Sequence, residues 1–205
     1  SACLVGSEMC IRDSLRAEQL IGTGSWSDAV PFLRASSFYA DRRSSFSQLS
    51  RYWLAESYYR SDQFDKALDT FKELYNNSAL DGKAEGRLIP YDMAYCYFRT
   101  GDYASAAKWF DEYLSGSGLS EGEDAAARRA DCDFASKDYK TAVAEYEKAL
   151  KRFPYKDNLY PNYRAGIAYG LLGDTDGKIS LLSRALKAKP STEYYPEAMF
   201  ELGRA

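Results

Sequence analysis

Five short polar turns recur along the chain at a nearly constant step, and this recurrence constrains the fold more than any other feature of the sequence. They fall at Gly24, Asp62, Gly101, Lys137 and Gly173, so the steps are 38, 39, 36 and 36 residues. Two positions after the turn stands an aromatic, Trp26, Phe64, Tyr103 or Tyr139, and five positions after it an alanine, Ala29, Ala67, Ala106 or Ala142. Nine positions after it come Leu33, Phe71, Phe110, Tyr146 and Leu182. A chain that repeats on this scale builds one supersecondary unit per step and buries each unit against its neighbours, with no single centre.

The stretch from Ala130 to Pro154 defines one such unit. Tyr139, Tyr146, Ala149 and Leu150 form an apolar stripe at helical period, so the second half of the unit is an amphipathic helix. Two antiparallel helices approach closely only where a small residue sits at the crossing, which places Ala130 and Ala142 at the contact. Pro154 lacks an N–H and ends the second helix.

Small residue, turn, aromatic, alanine, aromatic and proline in this order resemble the tetratricopeptide repeat, whose pattern is W-x2-L-G-x2-Y, then A-x3-F, then P. The resemblance implies an all-α fold, a right-handed superhelical solenoid of antiparallel helix pairs. Its repeat is about 34 residues long, and the surplus here fits into helix ends and connecting loops, where doubling a loop costs only about 0.6 kcal/mol. Units are expected at about 15–37, 48–79, 87–118, 123–154 and 160–190, with a partial one at 196–205. In that last segment Met199, Leu202 and Gly203 are expected to be in register. Two departures stand out. In the fifth unit Thr175 replaces the turn aromatic and Lys178 the crossing alanine, so that helix should pack less closely. Pro31 lies early in a second helix and predicts a kink or a late start.

Residues 1–14, SACLVGSEMCIRDS, do not continue the pattern: Asp13 and Arg16 would fall at inward positions. They lack the basic and apolar regions of a signal peptide and resemble translated sequencing adaptor. They are read as a non-native or disordered tail. The two raw ends of the array suggest a piece of a longer one, open to self-association through uncapped repeats.

What the chain lacks narrows its chemistry. It contains no histidine, which removes the usual triads, the commonest general base and the commonest metal ligand. Gly22-Thr23-Gly24 has no third glycine of a dinucleotide fingerprint, and Ser115-Gly116-Ser117-Gly118 no following Lys-Ser/Thr. Asp174-Thr175-Asp176-Gly177 begins like a calcium loop, but Ala185 stands where the bidentate glutamate belongs, so it reads as a turn between helices. Of the four cysteines, Cys96 and Cys132 occupy equivalent helix positions and read as packing thiols. Asn76, Asn77 and Ser78 match a glycosylation acceptor that counts only in a secreted eukaryotic chain. A net charge of −3 disfavours nucleic acid, and no apolar run is long enough to span a bilayer. No cofactor or metal is expected.

What remains is the surface. In the tetratricopeptide register the first helix of each pair lines a concave face. There the sequence places Tyr52, Glu56, Tyr59 and Arg60, then Tyr91, Tyr95, Phe98 and Arg99, then Asp131 and Phe134, and finally Tyr163, Ile167 and Leu171. Tyrosine and arginine are enriched at binding hot spots, and a guanidinium can clamp a carboxylate. The plainer alternative for Arg60 and Arg99 is a salt bridge to Glu56 or Asp92. The resemblance implies a non-enzymatic scaffold that holds a peptide or partner segment in this groove. Two alternatives stand beside it: the regulatory arm of a larger enzyme, and a glycan-binding envelope protein. Similarity to bacterial cell-envelope members slightly favours the envelope or periplasm over the cytoplasm.

Overall fold

Each of the five turns places one residue in the left-handed region. The φ angles are 76° at Gly24, 57° at Asp62, 84° at Gly101, 64° at Lys137 and 81° at Gly173 in the computed structural model, which describes residues 2–39, 45–76, 80–153, 159–187, 190 and 193–205. The hydrogen bonds repeat with equal regularity. The N–H of the left-handed residue donates to the carbonyl three positions back, and the next N–H to the carbonyl five back from itself. Examples are Lys137 to Phe134 with Asp138 to Asp133, and Gly173 to Gly170 with Asp174 to Tyr169. This is a Schellman closure, which satisfies the last carbonyls of one helix while reversing the chain. The residue that completes it begins the next helix: Asp138 accepts from the Thr141 N–H, and Asp174 from the Gly177 N–H at 2.8 Å. Asp174 is therefore a helix cap, in keeping with the turn read from the sequence.

Among the described residues the structure is all-helical, with eleven helices and no strand. The chain divides into two compact units, Ser1–Asp102 and Tyr103–Ala205. The first contains α1 (Ala2–Gly22), α2 (Trp26–Tyr39), α3 (Ser45–Arg60), α4 (Phe64–Tyr75) and α5 (Ala84–Thr100). Each packs on the next, and α3 also touches α5. Ala29 and Ala67, both fully buried, sit at the crossings. Ala17, Ala29, Leu33 and Leu54 form one apolar cluster, while Phe71, Leu74, Ile89 and Met93 are buried further along. Full burial of a side chain of that size is worth about 1.5–3 kcal/mol.

The tail assignment meets a helix. The structure is helical from Ala2 onward, through the stretch read as a non-native or disordered tail, and that stretch has no proline to stop a helix. Asp13 is buried and Arg16 exposed, so only the first takes the inward place its register assigned. α2 begins at Trp26, directly after the turn, so the late start foreseen for Pro31 does not occur.

The second unit contains α6 (Tyr103–Ser115), α7 (Gly122–Ala135), α8 (Tyr139–Arg152), α9 (Leu159–Leu171), α10 (Thr175–Ala185) and α11 (Tyr195–Gly203). Each again packs on the next, and α9 also touches α11. Ala106 and Ala142 are fully buried, and Tyr146 packs with Ala130, Ala142, Ala165 and Leu181. Two expectations change here. α10 lies close against α9 despite Lys178, because the small residues have moved to the facing helix. A Cβ on Gly166 would stand 3.0 Å from Leu182 Cγ, and one on Gly170 2.8 Å from Lys178 Cδ. The Lys178 stem covers glycine while its ammonium reaches Glu201 at 2.9 Å. On α11 the inward residue is Ala198, fully buried, with Leu202 packed beside it, whereas Met199 is exposed. One residue is 100° of helix, enough to turn Met199 off the buried face.

Asn77 and Ser78 of the glycosylation match, and Pro154, lie outside the described residues. No helix among the described residues is long and apolar enough to cross a membrane.

Candidate partner-binding site

In the first unit, α3 and α5 lie side by side, and their facing surfaces carry four of the residues singled out from the sequence. Tyr59 and Arg60 from α3, and Tyr91 and Tyr95 from α5, line one cleft of about 250 Å³ together with Glu56 and Asp92. Residues four apart share a helix face, so Glu56 falls beside Arg60 and Tyr91 beside Tyr95. The rings meet edge to face: Tyr91 and Tyr95 at 5.0 Å between centroids and 70°, Tyr59 and Tyr95 at 6.3 Å and 73°. Edge-to-face pairs suit the ring quadrupole and hold the tyrosines in fixed orientations. Burial pushes the Tyr59 phenol up, opposed by the nearby Arg99.

The arginines are engaged within the protein. Arg60 Nε donates to Glu56 at 2.7 Å, and its guanidinium lies 5.5 Å from the Trp26 ring centroid. Arg99 donates to Asp62 at 2.9 Å and covers the Phe64 ring at 4.7 Å. The salt-bridge alternative thus holds for Arg60 with the partner foreseen, and for Arg99 with Asp62 in place of Asp92. Both pairs are partly exposed, so each contributes little to stability, on the order of 0–1 kcal/mol, but they preset where the rings stand.

Tyr52 is placed differently. It is 5% exposed, packs edge-on against Trp53 and Phe71, and donates its hydroxyl to Asp92 at 2.8 Å. It sits beneath the cleft and anchors a carboxylate that lines it. Phe98 is half-buried in the last turn of α5. Asp92 is the lining residue that sequence reasoning named only as a salt-bridge partner. Its signal was its position, three residues before Tyr95 and one after Tyr91.

The other three site residues belong to the second unit. Phe134 lies 3.8 Å below the Arg164 guanidinium and 5.2 Å from Tyr139. Tyr163 stacks on Tyr194 at 5.9 Å and 21°, and Ile167 is half-buried. Asp131, read from the sequence as groove-lining, is buried: it accepts hydrogen bonds from Tyr146, from Tyr160 at 2.6 Å, from Arg128 at 2.9 Å and from Arg164 at 3.2 Å. A carboxylate held this way acts as an internal fastener between α7, α8 and α9. Cys96 and Cys132 are buried free thiols; burial pushes Cys132 up to about 12, which leaves it unreactive near neutral pH.

The model of the tetratricopeptide repeat family matches residues 54–126, a span that includes two of the five turns and the α3–α5 surface. That span matches the tetratricopeptide repeat, and the helix pairs outside it repeat its left-handed turn at Gly24, Lys137 and Gly173 and its buried alanine at Ala29 and Ala142. Solved structures agree on the fold. YrrB, described as a tetratricopeptide protein with an unusual peptide-binding site, aligns with a TM-score of 0.65 at 16% identity, over 92% of this chain and 87% of that one. MamA aligns at 0.71 and 16% identity, over 96% and 97%. A putative kinesin light chain from Podosopora anserina with nearly identical tetratricopeptide-like repeats aligns at 0.69 and 16%, over 92% and 99%. No curated protein matches the chain. At such identities the likeness is one of fold, and the tetratricopeptide repeats themselves carry no side-chain chemistry across from these structures.

Proposed function

We propose that the chain is a non-enzymatic interaction scaffold that holds an extended peptide segment of a partner protein in the α3–α5 cleft. The observation that carries this reading is the cluster of Tyr59, Tyr91 and Tyr95 around a common opening, with Glu56, Arg60 and Asp92 at its edges. Rigid rings bury area at low entropic cost, and the surrounding polar groups can meet a peptide backbone. The tetratricopeptide fold supports the reading, as does the peptide-binding site ascribed to YrrB. Because Arg60 and Arg99 already answer Glu56 and Asp62, the tyrosines supply the affinity and the arginines hold the frame. A carboxylate on the partner is therefore dispensable.

The test is site-directed photo-crosslinking. Peptides selected from a random display library on the full chain should crosslink to Tyr91→p-benzoylphenylalanine within this cleft. Selected peptides that crosslink only from positions outside α3 and α5 contradict the proposal.

A further inference from the structure

A second cleft, of about 550 Å³, opens within the second unit between the start of α7, the end of α8, the start of α9 and the residues that lead into α11. Its wall is aromatic. Phe153 lies so close to α7 that a Cβ on Gly122 would stand 2.6 Å from the ring, so glycine is what lets the ring lie there. Tyr194 is held at φ 67°, a conformation costly for a side chain of its size. Its ring is 5.1 Å from Tyr160 and stacked on Tyr163.

The rim of the cleft is acidic. Glu121, Glu123, Asp124 and Glu193 line it, and Arg128 is the single cation among the described lining residues. Arg128 is itself bound by Asp131 at 2.9 Å and by Asp124 at 3.4 Å. Its guanidinium covers the Tyr160 ring at 4.9 Å, so the aromatic wall already receives one cation.

An aromatic wall with carboxylates around it suits a positively charged side chain twice over, through the ring faces and through the opposite charge. We propose that this cleft docks a basic linear segment of a partner protein, with a lysine or arginine side chain lodged against the aromatic wall at Tyr194 and the glutamates around it. The same carboxylates repel acidic peptides and nucleic acid. This site uses none of the residues of the α3–α5 cleft, so either can fail alone.

The probe is a fluorescein-labelled peptide of alternating lysine and leucine, titrated into the full chain by anisotropy, beside the same peptide with glutamate for lysine. The lysine peptide should bind and weaken as salt rises, and the glutamate peptide should not bind. Glu121→Lys with Glu193→Lys should weaken the lysine peptide roughly tenfold. Both side chains are exposed, so the helical dichroism should stay unchanged. Tyr194→Gly, which removes the ring and relieves the backbone, should weaken it as well, while Tyr59→Ala in the other cleft leaves it unaffected. Equal binding of the two peptides, no binding of the lysine peptide, or indifference to the glutamate reversals overturns the proposal. Loss of binding in Tyr59→Ala overturns it too, by moving the basic segment to the other cleft.

Discussion

Tyr160 donates its hydroxyl to Asp131 across 2.6 Å, joining α9 to α7 through a carboxylate that is 2% exposed. Tyr146, Arg128 and Arg164 converge on the same group. Asp131→Ala removes the shared acceptor of two phenols and two guanidinium groups, leaving Arg128 with Asp124 and Arg164 with the Tyr146 hydroxyl. Removal of one partner from a buried charge network costs about 3–5 kcal/mol, and because the arginines are about a quarter exposed the loss here should be near the lower bound. Urea unfolding with an unchanged m-value should report it. A loss below about 1 kcal/mol means that the network does not fasten the unit.

The crossing alanines test the helix register. Ala67→Leu and Ala142→Leu each force a larger side chain into a fully buried contact and should destabilise by about 1–3 kcal/mol. Lys148→Ala removes an exposed pair with Glu145 and should change stability by less than about 0.5 kcal/mol. Thermal melts that rank these the other way contradict the register.

The turns offer a test that involves no packing. Asp62 and Lys137 hold a left-handed conformation that costs a non-glycine residue about 1–2 kcal/mol. Lys137→Gly should therefore stabilise, by somewhat less because glycine gains freedom in the unfolded chain, and Asp62→Gly should gain less again because it also gives up the ion pair with Arg99. Gly101→Ala should destabilise by about 1 kcal/mol from the backbone alone, since a Cβ there meets nothing within 4 Å. Denaturant midpoints of the three variants check the sign of each.

The turns and crossing alanines were legible in the sequence because both are local. A left-handed residue is set by its own backbone, and a crossing alanine by fixed spacing from the turn. Period also put Tyr59, Arg60, Tyr91 and Tyr95 on one surface. It could not give depth, so Tyr52 and Asp131 look groove-lining in sequence although the fold buries them under partners 40 and 15 residues away, Asp92 and Tyr146. Nor could it foresee that Gly166 and Gly170 would take over the role of the missing alanine opposite Lys178, because that exchange is between helices.

Alkaline pH should loosen the protein. Burial, reinforced by Asp92 or Asp131, holds the phenols of Tyr52, Tyr146 and Tyr160 well above their ordinary value near 10. Burial raises the Cys96 and Cys132 thiols likewise. In the unfolded chain these groups release protons first, so their contribution is complete below the unfolded values and declines as pH rises past them. The urea midpoint should fall as pH rises above about 9, and three of the 18 tyrosines should ionise only as the chain unfolds. A midpoint that rises over this range, or tyrosinate absorbance that reaches its full value in the folded protein near pH 10, contradicts the assignment.

The affinity of a display-selected peptide for the full chain and for its Tyr59→Ala and Tyr95→Ala variants, measured by calorimetry, tests the α3–α5 cleft most directly. Truncation of an aromatic hot spot costs about 1–2 kcal/mol or more, so each variant should bind roughly tenfold more weakly while its melting curve keeps its shape. Equal affinity in both variants would place the partner elsewhere on the chain and contradict the account.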